Sequence, residues 1–293
     1  MYQWRKGLAV WRVGSHLYIS VPFTWLVEEA QKLANEWSMG EVSMGGPGLM
    51  KPTAVEGFEP ILFHNPCATF TTRGCPNSCP FCAVSLLEPD FYEVPGFKPA
   101  PLICDNNLLA ATKKHIRRVV DWEKVFPFVD FNQGLEAKRF TPDVADMLGE
   151  LRCKVRFAFD DPSNEGVVKD AIDLCRARAT NNIGVYCLIG YDDSPDDAQA
   201  RLELVRSWGI RPNPMRYQPL RASRKNEHLA PGWTEIEMRR MMHYYSRLRW
   251  YEHIPFNEFV WIGSSTEKED NGMEIEDSSE APRVDILHPR LFD

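Results

Sequence analysis

The sequence predicts an α/β fold in which six strand–helix units form a parallel sheet or barrel. From about Phe70 onward, short apolar strand-like segments alternate with helical ones, the pattern of strands joined by helical crossovers. Two of the helices have legible starts, since Thr141-Pro142 and Ser194-Pro195 each pair a capping hydroxyl with a proline suited to the first helical position. Each candidate strand also ends in polar residues, as expected where the loops of a parallel fold converge on one mouth. At 293 residues and 33.7 kDa, one large α/β domain or a barrel with small appendages can be built.

The N-terminal part, residues 1–66, reads as a small β-α-β unit. LYISV (17–21) is strand-like, and the helix after it places Leu26, Ala30, Leu33, Ala34 and Trp37 on one stripe. EVSMGGPGL reads as a second strand ending in a glycine turn. GGPG lacks the Lys-Ser/Thr of a P-loop and a full GxGxxG, so it is read as a turn rather than a phosphate cradle.

The central part, residues 67–222, carries the six candidate strands ATFTT (68–72), PLICD (101–105), FVDFN (128–132), KVRFAFD (154–160), GVYCLIG (184–190) and PMRYQPL (214–220). The helix after Thr141 is expected to bury Val144, Met147, Leu148 and Leu151. The C-terminal part, residues 223–293, differs in kind. Thr234 and Glu237 fit a capping box opening a helix to about Tyr251, and the acidic run from Glu267 reads as a linker or surface loop. No longer internal repeat is present.

Composition narrows the function classes. Hydrophobic residues at 44% and charged residues at 26% are ordinary for a globular chain. The first residues lack the apolar run of an export signal, and Pro22 breaks the most apolar early stretch, so no membrane span is expected. Eight cysteines without such a signal imply a reducing compartment, with the cytoplasm as the expected location. A net charge of −7 opposes loose polyanion binding. Nothing indicates a nucleic-acid partner beyond KKHIRR (113–118), which is read as a solvated helix face.

TTRGCPNSCPFCAV (71–84) concentrates the chemistry, with Cys75, Cys79 and Cys82 in a CxxxCxxC spacing. A disulfide would leave an odd thiol in the wrong compartment. Structural zinc wants a fourth Cys or His nearby, for which only His64 and Cys67 upstream are available. Three thiolates on a four-iron, four-sulfur cluster would leave one iron open, unlike an electron-transfer cluster with four cysteines.

The segment resembles the signature of the radical S-adenosylmethionine (radical SAM) superfamily, including its position after a first strand and Phe81 directly before the third cysteine. The resemblance covers about Phe70 to Leu220 and implies a partial (β/α)6, TIM-like barrel. It also implies that Cys75, Cys79 and Cys82 hold a 4Fe–4S cluster whose open iron chelates S-adenosylmethionine. An electron then cleaves the sulfonium to methionine and a 5′-deoxyadenosyl radical, which abstracts hydrogen from a substrate C–H bond. The electron donor implied is of flavodoxin or ferredoxin type.

Other residues follow from the same resemblance. The usual glycine-glycine-glutamate after the second strand is replaced by CDNNLLA, where Asp105 and Asn107 would hold the cofactor's amino group. Asn132, Gln133 and Glu136 fall where relatives contact cofactor or substrate, and Asp160 would reach the ribose hydroxyls. Ile189 and Gly190 would flank the adenine, with Tyr217 and Phe81 lining the pocket. The chain is similar as a whole to compact phage and prophage members, with an N-terminus like the end of a cobalamin-binding domain. The missing Asp-x-His-x-x-Gly and the short unit leave bound cobalamin doubtful.

Cys67, Cys104, Cys153, Cys175 and Cys187 lack paired spacing and read as small buried residues, with Cys104 reserved as a conceivable hydrogen donor. The expected substrate is a small molecule or nucleotide, a modified nucleobase being the class worth testing. The alternative is a non-catalytic iron–sulfur or zinc-binding module.

Overall fold

The computed structural model describes residues 4–50 and 59–261. The N-terminal unit begins with a hairpin, β1 (Ala9–Val13) and β2 (His16–Ser20), turned at Gly14 with φ 60°. Helix α1 (Val27–Glu36) and strand β3 (Val42–Gly45) follow, with β3 parallel to β2. The expected β-α-β is therefore a β-β-α-β. The extra strand escaped notice because β1 is an edge with only Ala9 fully covered and no clean alternation. The stripe of α1 packs as expected, with Leu33, Ala34 and Trp37 against Leu17, Ile19, Val21 and the buried Ala30.

The GGPG turn follows β3. A Cβ at Gly46 would lie 2.6 Å from the Val21 carbonyl oxygen, and one at Gly48 would lie 2.5 Å from that of Phe23. Close backbone packing, together with φ 108° at Gly46, accounts for these glycines.

The remainder opens with α2 (Pro60–His64), β4 (Ala68–Thr69), β5 (Thr72–Arg73), α3 (Val84–Leu87) and β6 (Tyr92–Glu93). Next come β7 (Leu102–Ile103), α4 (Lys113–Glu123), β8 (Val129–Phe131), α5 (Pro142–Leu148) and β9 (Cys153–Ala158). Then follow α6 (Glu165–Arg178), β10 (Ile183–Ile189), α7 (Pro195–Ser207) and β11 (Pro212–Arg216). Helices α8 (Glu235–Ser246) and α9 (Leu248–Tyr251) follow, and a 3-10 turn, Phe256–Glu258, lies near the end of the described chain.

Six strands form one sheet in the order β11-β10-β9-β8-β7-β4, and every neighbouring pair is parallel. All six expected strands are present and follow one another in chain order. They are shorter than the apolar runs suggested at β4 and β7, where the ladder is only two residues long. The run ATFTT is split, because Thr72–Arg73 leaves the sheet to pair antiparallel with Tyr92–Glu93.

Alternation along the strands separates two environments. Val129, Phe131, Val155, Phe157, Val185, Cys187 and Ile189 are buried in the main core with Val119, Val120, Leu148, Ile172, Leu202 and Val205 from the helices. Phe157, edge-on to Phe140 at 5.0 Å, lies at the centre of this layer. The intervening Asp130, Arg156 and Tyr186 put charge and a phenol on the opposite face, where an ordinary doubly covered parallel sheet would be apolar.

The helix starts follow the chemistry read from sequence. The Thr141 hydroxyl accepts the Val144 N–H, and Ser194 with Asp197, like Thr234 with Glu237, forms a reciprocal capping box. After Thr141, Val144, Leu148 and Leu151 are buried and Met147 is partly so. The C-terminal helix breaks at Arg247, with φ −115° and ψ 26°, rather than running unbroken to Tyr251. Its Met238, Met241, Tyr244 and Tyr245 enter the same core as the sheet. The acidic run from Glu267 lies outside the described residues.

In α4 two cations of the basic run are ion-paired, Lys113 with Asp143 and Arg117 with Asp121 and Glu150. Its His115 is buried instead, 3.5 Å from Glu93. Among the described residues, no helix is long and apolar enough to cross a membrane.

Candidate functional site

The site is built on the chain leaving β4. Phe70 and Thr71 follow the strand end, and the buried Asp105 carboxylate, just past β7, accepts both the Thr71 N–H and the Thr71 hydroxyl. It also accepts the Thr72 N–H at 2.9 Å. Burial pushes the Asp105 carboxyl up to about 6, against the lowering effect of these hydrogen bonds.

Past this clamp the chain turns sharply. Gly74 has φ 71°, and a Cβ there would lie 2.1 Å from the Asp90 carbonyl oxygen. Glu88 holds the turn from outside: it pairs with Arg73, accepts the Gly74 N–H at 3.3 Å and accepts the Asn106 amide at 2.8 Å. The Arg73 guanidinium lies 4.0 Å over the Phe70 ring. Three elements thus converge on the base of the cysteine loop.

Cys75, Cys79 and Cys82 are all free and half-buried on this loop. The Cys82 N–H donates to the Cys79 carbonyl at 3.0 Å, which tightens the second half into a turn. Burial raises the Cys79 thiol, and Cys82, Cys75, Asp160 and Glu136 add to the rise by their negative charge. The other two cysteines, Asp160 and Glu136 thus lie within electrostatic reach of the Cys79 thiol. Among the described residues, no group of three or more His, Cys, Asp or Glu side chains is disposed as it stands to hold a metal ion.

Asn107 joins this group. Its amide Nδ2 donates to the Cys75 sulfur at 3.4 Å and to Glu136 Oε2 at 2.8 Å. Arg139 donates to the same Glu136 oxygen at 2.8 Å. The Asn107 side-chain oxygen is buried without a hydrogen-bond partner, an arrangement that costs about 1–3 kcal/mol unless another donor supplies the bond.

Aromatic rings flank the loop. Phe81 meets Tyr191 at 5.6 Å, Tyr191 meets Tyr217 at 4.8 Å, and Tyr217 meets His228 at 5.0 Å, each edge to face. Tyr217 is tied to β10 by donating its N–H to the Ile189 carbonyl at 2.9 Å. The Asp160 carboxylate, raised by burial, accepts the Leu188 N–H at 2.8 Å.

On the polar face of the sheet, Arg156 forms a two-pronged pair with Asp130, its second prong 3.1 Å, and also donates to the Phe131 carbonyl at 3.2 Å. The guanidinium lies 5.9 Å from the Tyr186 ring, whose hydroxyl donates to the Asn132 carbonyl at 2.9 Å. Burial pushes the adjoining Cys104 thiol up to about 12 and keeps it protonated.

The structure brings Cys75, Cys79, Cys82, Asn107, Glu136 and Asp160 together, with Phe81 and Tyr217 in the ring row beside them. It corrects two expectations. Asp105 does not present its carboxylate to a ligand, because the residue is buried and both oxygens already accept from Thr71 and Thr72. Ile189 does not flank a pocket, because the strand alternation turns its fully buried side chain into the main core.

Gly190 is required by backbone geometry instead: φ is 76°, and a Cβ would meet the Met238 methyl at 2.5 Å. Gln133 is exposed. Sequence reasoning missed Glu88, Asn106, Tyr191 and His228 as site-building residues. Only Asn106 and Tyr191 carried a signal, as polar strand-end positions.

The donor set fits an iron–sulfur cluster in its chemistry: three thiols on one loop, an amide aimed at one sulfur, and a buried acceptor without a partner beside them. No protein-family model matches the sequence, and neither does any curated protein or solved structure.

Proposed function

We propose that this chain is a radical SAM enzyme whose six parallel units form a partial, unclosed (β/α)6 barrel. Sequential strand order supports the barrel reading, since a doubly wound sheet would reverse direction within the order. The observation that carries the function is the convergence of Cys75, Cys79 and Cys82 with the buried, unpartnered Asn107 oxygen at the C-terminal end of the first strand.

Cys75, Cys79 and Cys82 would hold a 4Fe–4S cluster, and Asn107 with Glu136 would receive the ammonium group of S-adenosylmethionine. Bound there, the pair supplies reductive cleavage of the sulfonium and hydrogen abstraction from substrate. The Asn107 oxygen offers an acceptor and Glu136 a negative charge, both suited to an ammonium donor. Phe81, Tyr191 and Tyr217 offer apolar ring surface that covers the loop and limits water. Asp105 acts one step back, by holding the Thr71–Thr72 backbone from which the loop departs.

Anaerobic reconstitution tests this reading. The protein should take up about four irons per chain, and Cys75→Ala, Cys79→Ala or Cys82→Ala should abolish most of the visible absorbance, while Cys67→Ala and Cys104→Ala retain it. Reduction with S-adenosylmethionine present should release methionine and 5′-deoxyadenosine, detected by mass spectrometry. A reduced cluster beside intact S-adenosylmethionine would favour a passive iron–sulfur module, and a colourless protein containing zinc would overturn both readings.

A further inference from the structure

We infer that Asn107 is a positioning residue that sets the reduction potential of the cluster through Cys75, and that Glu136 and Arg139 fix its orientation. The inference rests on the reading that Cys75 is a cluster ligand. The Asn107 amide can donate two hydrogen bonds. Its two neighbours are the Cys75 sulfur at 3.4 Å and Glu136 Oε2 at 2.8 Å.

The residue is 4% exposed, so water does not compete for those donors. Glu136 is itself held by Arg139, which donates to the same oxygen at 2.8 Å. A chain of contacts therefore runs from a surface guanidinium through a carboxylate and an amide to a ligand sulfur.

The direction of the effect follows from charge. Reduction adds an electron whose density is shared by the ligand sulfurs, and an N–H aimed at sulfur stabilises the more negative state. Asn107 therefore raises the potential. Glu136 acts in the opposite sense, because its negative charge lies one hydrogen bond away from the amide that meets the Cys75 sulfur. The Asn107 amide and the Glu136 charge are thus opposed, and the amide orientation depends on the carboxylate.

The test is a potentiometric titration of the reconstituted cluster, followed by the electron paramagnetic resonance of its reduced form without S-adenosylmethionine or substrate. At the potential where the wild-type cluster is half reduced, Asn107→Ala should lower the reduced-to-oxidised ratio about tenfold, which for one electron is a midpoint shift of about 59 mV. Glu136→Gln should raise that ratio. Iron content and circular dichroism establish that each variant is loaded and folded.

Opposite shifts support the inference, because general loosening of the loop would move both variants the same way. Unmoved midpoints in both, or equal shifts of one sign, would overturn it while leaving the radical SAM reading intact. Should Asn107→Ala not retain the cluster, Asn107→Ser and Arg139→Gln provide the comparison. A lowered ratio in both supports the inference, and unchanged ratios overturn it. Failure of wild-type protein to take up a cluster would instead sink the underlying reading.

Discussion

Asp105 and Thr71 are joined twice, since the carboxylate accepts both the backbone N–H and the side-chain hydroxyl of the threonine. The join links the end of β7 to the departure of the cysteine loop from β4. Removing the carboxylate leaves two buried N–H groups and a hydroxyl without acceptors. Asp105→Ala should therefore lower the unfolding free energy by about 2–4 kcal/mol. Asp105→Asn keeps one acceptor and should lose less. Urea denaturation separates the two, and equal stability of wild type and alanine variant would refute the clamp.

Gly74 carries both a left-handed backbone and a contact too close for any Cβ. Gly74→Ala should cost more than about 2 kcal/mol, since the left-handed conformation alone costs about 1–2 kcal/mol in an L-residue. Because Cys75 is the next residue, the variant should also take up less iron on reconstitution. Thermal unfolding with iron analysis checks both, and an alanine variant with wild-type midpoint and iron content would count against the tight turn.

Glu123 ends α4 fully buried, with one oxygen facing the Ala100 N–H at 3.3 Å and the other without a partner. Burial pushes its carboxyl up to about 7 from an ordinary value of 4.5. The folded state thus holds this proton more tightly than the unfolded chain, and the group's contribution to stability falls as pH rises between about 4.5 and 7. Glu123→Gln removes that titration. Its stability relative to wild type should increase from pH 4 to pH 8, and a pH-independent difference in chemical denaturation would contradict the assignment.

Asp130 and Arg156 present a paired charge on the polar face of the sheet. Asp130→Leu leaves a buried guanidinium uncompensated and should cost roughly 3 kcal/mol. The double variant Asp130→Leu, Arg156→Met should recover most of that loss. A double variant as unstable as the sum of the singles would show that the pair acts through separate contacts, such as that of Arg156 with the Phe131 carbonyl.

Six parallel strands, three capped helices and the cysteine loop were legible because each leaves a local mark. Apolar runs alternate with helices, hydroxyls precede helix starts, and three thiols fall within eight residues. Strand β1 left no such mark, because an edge strand needs only one covered face and little alternation. His228 is an ordinary residue in sequence, and Tyr191 only a strand-end position; the two join Phe81 and Tyr217 where the chain returns after β10 and β11.

By itself the sequence determined the α/β alternation, the helix caps and the grouping of Cys75, Cys79 and Cys82, all of which depend on residues within a few positions of one another. Tertiary structure alone decided what Asp105 and Asn107 do. The two lie two residues apart, and both are polar groups able to hold the same ligand. One turns toward Thr71 and accepts its hydroxyl and two backbone N–H groups 33 and 34 residues earlier, while the other turns toward Cys75 and Glu136 and keeps an acceptor free. Buried hydrogen bonds are satisfied by whatever the folded chain brings within reach, and that pairing is written in no local stretch of sequence.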